Sequence, residues 1–79
     1  MAGTEAQAEF TAQLKLLEQA LVNYLDLSDT PAKCDEYSIK LLVQLEELEG
    51  KFPDFDQFLT QIDERRETVY EAFESRKVS

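Results

Sequence analysis

A chain of 79 residues is long enough for one domain and no more. Such a domain buries only about 60–65% of the surface its unfolded chain exposes, which leaves little room for an enclosed pocket beside a core. With 17 acidic and 8 basic residues the formal net charge is -9, so the surface repels phosphate backbones and anionic lipid headgroups, and neither direct nucleic-acid binding nor membrane binding is expected.

The same charge has two readings. It keeps copies of a small helical domain apart in solution, and it makes a basic protein surface the natural counterpart. Histidine is absent and Cys34 is the one cysteine, so no intrachain disulfide and no multi-cysteine zinc site can form, and a cytoplasmic location is expected. Cys34 stands at an apolar-periodic position and reads as a small buried thiol. Asp35 and Glu36 beside it disfavour a reactive thiolate, although Lys33 is adjacent. Met1 to Glu5 has neither a basic start nor an apolar core and is no signal peptide. No run approaches the roughly 18 apolar residues of a membrane span.

The first predicted helix covers about residues 5–27. Thr4 and Gln7 have the spacing of a capping box. Ala6, Phe10, Leu14, Leu17, Leu21 and Leu25 then recur at steps of three and four, one face of a helix. Leu16, Val22 and Tyr24 widen that stripe. The Asp26 to Thr30 stretch breaks the pattern, and Thr30-Pro31 restarts it, with a threonine N-cap and a proline whose missing N–H is harmless at the first helical position.

The second predicted helix covers about residues 31–49. Cys34, Tyr37, Leu41, Leu45 and Leu48 form its seam, broadened by Ile39, Leu42 and Val43. Gly50 is expected at the left-handed C-cap, with Phe52 folding back over the turn. The third predicted helix covers about residues 55–77, capped by Asp54 with Gln57 three residues on. Phe55, Phe58, Ile62, Val69 and Phe73 follow at seam spacing, with Leu59 and Tyr70 beside them. At 65 and 66, where an apolar residue is due, stand Arg65 and Arg66.

Short connections make the fold an all-α, three-helix antiparallel bundle, a short spectrin-like unit. Its expected core is Phe10, Leu14, Leu17, Leu21, Leu25, Tyr37, Leu41, Leu45, Leu48, Phe55, Phe58, Ile62, Val69 and Phe73.

Catalytic chemistry finds no purchase. Di-iron bundles need histidine, serine-based catalysis needs its histidine base, and Gly3 and Gly50 make no phosphate loop. The run Glu46-Glu47-Leu48-Glu49 reads as a solvated acidic face rather than a metal site. We therefore expect no enzyme, no cofactor and no metal. The residues singled out are Arg65 and Arg66, either as partner contacts or as members of intramolecular ion pairs, Asp63 lying three residues before Arg66.

The stretches Lys51-Phe52-Pro53-Asp54-Phe55-Asp56-Gln57-Phe58-Leu59 and Glu64-Arg65-Arg66-Glu67-Thr68-Val69-Tyr70-Glu71-Ala72-Phe73-Glu74-Ser75-Arg76-Lys77 resemble a segment of very large bacterial AAA-type ATPases described as DNA-repair ATPases. The resemblance covers the second half of the chain. It implies a domain excised from a longer protein, with the nucleotide-binding machinery elsewhere and helix continuing past Ser79. Two functions are thus in view: a non-catalytic spacer or coupling module of a larger ATPase-type protein, and a free-standing acidic protein that occludes a basic partner surface. A homodimer sharing a seam between chains is also compatible with the pattern.

Overall fold

A computed structural model describes the backbone of residues 2–78 and the side chains of residues 5–77. Three α-helices follow one another: α1 (Ala2–Leu27), α2 (Pro31–Lys51) and α3 (Asp56–Val78). They form the expected antiparallel bundle, 46 Å long and 18 by 15 Å across. The tightest pair is α2 with α3, and α1 meets α3 least.

The core follows the seams. Phe10 and Leu14 of α1, Leu41, Leu45 and Leu48 of α2, and Phe58, Ile62, Val69 and Phe73 of α3 are all buried. Cys34 and Phe52 join them. Leu17, Leu21, Leu25 and Tyr37 pack against this cluster half-buried, because in a three-helix body the flanking positions face the gaps between helices. Phe55 departs from its expected place in the core: it is 37% exposed. It precedes the helix and lies against Phe58, ring centroids 5.1 Å apart, rather than beneath it.

One end of the bundle is closed by rings. Phe10 stacks on Phe58 at 4.3 Å and 8°, and Phe52 meets both edge-on at 5.8 and 5.5 Å, the geometries that the ring quadrupole favours. Near the other end Tyr24 stacks on Tyr37 at 4.6 Å. The α1–α2 turn is held by Ser28, a buried hydroxyl that donates to the Tyr24 carbonyl.

The helix boundaries correct three expectations. Thr30 caps α2 as expected, its Oγ1 accepting from the Lys33 amide at 3.3 Å. Thr4, however, is already inside α1, whose first described residue is Ala2, so it is not the N-cap; its side chain is outside those described. Gly50 is helical with no positive φ, and the cap is Phe52 at φ -127°, ψ 51°, its N–H donating to Glu49 at 3.3 Å. Burial of the Phe52 ring fixes that exit, so no left-handed residue is needed. At α3 the Phe55 carbonyl accepts the first helical bond, from the Leu59 amide at 3.2 Å, which puts Phe55 at the cap position and Asp54 one residue outside.

Candidate functional site

Arg65 and Arg66 are adjacent in sequence but diverge by the 100° that separates successive helical residues. Arg65 turns toward α1 and pairs with Glu18. Arg66 turns toward α2, where its guanidinium bonds Glu49 at 3.0 Å and Asp63 at 3.0 Å. The two therefore do not make one contact surface. Each bridges a different inter-helix boundary, Arg65 beside Leu17, Leu21 and Val69 at the α1–α3 gap and Arg66 between α2 and α3.

Further cations are paired, some between helices and some within one turn. Lys51 bridges to Glu9 at 3.4 Å across α1 and α2, Lys33 pairs with Asp29 at 3.3 Å, and Lys40 with Glu36 at 3.6 Å. Lys77 pairs with Asp35 across α3 and α2, and with Glu74 at 3.5 Å. The hydrogen bond that Lys77 donates to the Asp35 carboxylate raises its pKa above the ordinary value. Lys33, Lys40, Lys51, Arg65, Arg66 and Lys77 are thus held in intramolecular pairs.

The acids are in excess, and exposed ones that make no ion pair among the described residues include Glu5 and Asp26 of α1 and Asp54 and Asp56 around the start of α3. Glu46 and Glu47 of α2 and Glu64, Glu67 and Glu71 of α3 are exposed and make no ion pair among the described residues. Glu67 and Glu71 stand at i,i+4, where like charges oppose the helix by about 0.2–0.5 kcal/mol.

Concavities open along the helix boundaries. A groove of about 220 Å³ runs between α1 and α2, lined by Gln13, Leu16, Leu17, Gln44, Glu47, Leu48 and Lys51. A nearly wholly apolar gap of about 20 Å³ lies between α1 and α3 under the Arg65–Glu18 pair, against Leu17, Leu21, Leu41, Leu45 and Val69. A third cleft opens at the α1–α2 turn beside Cys34, Arg76 and Lys77. Among the described residues no group of three or more cysteine, aspartate or glutamate side chains is placed to hold a metal ion, and no helix is long and apolar enough to cross a membrane.

Several apolar residues that the periodicity assigns to a widened stripe face solvent instead: Leu16 and Val22 of α1, Ile39 and Val43 of α2, and Tyr70 of α3. Their signal was available in the angles. Ile39 and Val43 lie on the far side of α2 from Leu41 and Leu45, because steps of two residues turn the helix by 200°. No family model matches the chain, and neither does any curated protein or solved structure.

Proposed function

We propose that this chain is a non-catalytic interaction module that presents an acidic helical surface to a basic protein partner. One observation carries the reading: Lys51, Arg65, Arg66 and Lys77 are taken up in ion pairs between helices, while Glu46, Glu47, Glu64, Glu67 and Glu71 are exposed and make no ion pair among the described residues. Such a surface steers a positively charged partner toward encounter and repels nucleic acid and anionic membranes. A cytoplasmic setting accords with the lone thiol. Isothermal titration with a Lys/Arg-rich helical peptide, and with the same peptide carrying glutamate for each cation, tests it. Saturable binding of the first alone, weakened by salt, supports the reading. No binding of the first at low salt overturns it.

A second reading is a spacer or coupling segment in a larger ATPase-type protein, and the topology favours it. Three antiparallel helices put the start of α1, where Glu9 meets Lys51, at the opposite end from Lys77 and Asp35. A body 46 Å long then separates whatever is joined at its two ends. The tie to AAA-type ATPases rests on residues 51–59 and 64–77 alone. A reading frame that continues beyond Ser79 into nucleotide-binding motifs supports this reading, and a stop codon there overturns it.

A further inference from the structure

We infer that the face shared by α2 and α3, on the side away from α1, is the docking surface, and that its occupant is a cationic amphipathic helix of a partner protein. The inference rests on the reading of the chain as a binder of basic surfaces and assigns that role to particular residues.

Two ion-pair rungs join α2 to α3 on this face: Lys77 with Asp35 near one end, and Arg66 with Glu49 at 3.0 Å toward the other. Leu42 and Tyr70 are each two helical turns inward from the first rung, so the antiparallel register sets them at one level between the two rungs. Leu42 is half-buried, and Tyr70 is 53% exposed. Ile39, one turn before Leu42 on the same flank, is 60% exposed. The rungs therefore bracket an apolar window that nothing in the chain covers among its described residues.

The rim of that window is acidic. Glu46 follows Leu42 by one turn, and Glu67 and Glu71 flank Tyr70. The two cations on the face are already committed, Arg66 to Glu49 and Asp63, and Lys77 to Asp35 and Glu74. An apolar centre with an exposed tyrosine inside a charged rim is how helix-docking surfaces are built. Here the rim has one sign, so the complementary helix carries an aliphatic stripe edged by lysine or arginine.

Other occupants and other surfaces fit less well. A second copy of this chain brings its own charge of -9 against the same rim. The α1–α2 groove carries less of that sign: beside Gln13 and Gln44, Glu47 is the one acid among the residues that line it, and Lys51 there is paired with Glu9. Leu16 and Val22 are exposed on different flanks of α1 and form no patch.

The test uses the full chain, labelled with nitrogen-15, and a synthetic helical peptide of leucine, lysine and alanine with all leucines on one face. Amide shifts concentrated at residues 39–46 and 67–74 are expected. Tyr70→Ala should weaken binding roughly tenfold, and Glu67→Gln with Glu71→Gln should weaken it and flatten its salt dependence. These side chains are exposed, so circular dichroism should show the variants folded. Shifts centred on Leu16 and Gln44, or unchanged affinity in Tyr70→Ala, would overturn this surface while leaving the basic-partner reading intact. No binding at any salt would remove both.

Discussion

Arg65 of α3 reaches across to Glu18 of α1 directly over the apolar gap formed by Leu17, Leu21, Leu41, Leu45 and Val69. The pair stands at the boundary where the bundle is loosest, and at a position where the α3 seam calls for an apolar residue. Its side chains are 40% and 43% exposed. At such exposure water and salt screen the attraction, so the pair contributes about 0–1 kcal/mol. Arg65→Leu should then stabilise the fold by about 1 kcal/mol, since an aliphatic chain can settle into the gap with no charge to hold at its rim. Urea melts check this, with Glu18→Gln as the partner in a double-mutant cycle. A loss above 1 kcal/mol in Arg65→Leu would mean that the ion pair, rather than the packing of its stem, closes the boundary.

Leu45 sits at the centre of the core, and Leu16 faces solvent. Leu45→Ala should cost about 2–5 kcal/mol, a large part of the margin of so small a domain. Leu16→Ala should change stability by no more than about 0.5 kcal/mol. Equal effects in thermal or urea unfolding would contradict the placement of these two residues.

Gly50 occupies the last turn of α2 in helical conformation, and a Cβ built on it meets nothing within 4 Å. Gly50→Ala should therefore stabilise by about 0.5–1 kcal/mol, because alanine loses less backbone freedom on entering a helix. A left-handed C-cap glycine would respond in the opposite direction, so the sign of the change in a urea midpoint discriminates between the two geometries.

Lys77 gains from its bond to Asp35, and from Glu74, only while it is charged, which is why its pKa is raised. A raised folded-state pKa contributes stability that is fully present below the ordinary lysine value of 10.5 and is lost as pH rises through the higher folded value. The difference in stability between the native chain and Lys77→Met should thus be flat through neutral and mildly alkaline pH, and should shrink above that value. A difference that changes between pH 5 and 8 instead would place the effect on another group.

The seams were legible because burial in a bundle follows local periodicity: Phe10, Leu41, Leu45 and Ile62 repeat where a helix returns its face to the core. The caps were less so. Thr30-Pro31 is decisive because its side chain and ring act on their own backbone. Gly50, Asp54 and Thr4 carried equally good local signals and were overruled by one or two residues. The register of the α2–α3 turn is set by burying Phe52 against Phe10 and Phe58, partners outside the turn itself. Phe55 is not a core residue either: it lies outside the helix beside Phe58, and it is Phe58 that is buried.

The charge of the chain, its helical periods and the short break at Ser28 to Thr30 determine a small acidic bundle by themselves, because each acts through neighbours in sequence. Tertiary structure alone decided which charges survive at the surface. Arg65 and Arg66 find Glu18 and Glu49 only after α3 is laid against α1 and α2. The same docking brings Tyr70 level with Leu42, between two ion-pair rungs and beside glutamates that make no ion pair among the described residues. Ion pairs form between elements far apart in the chain, and their distances are set by packing rather than by spacing.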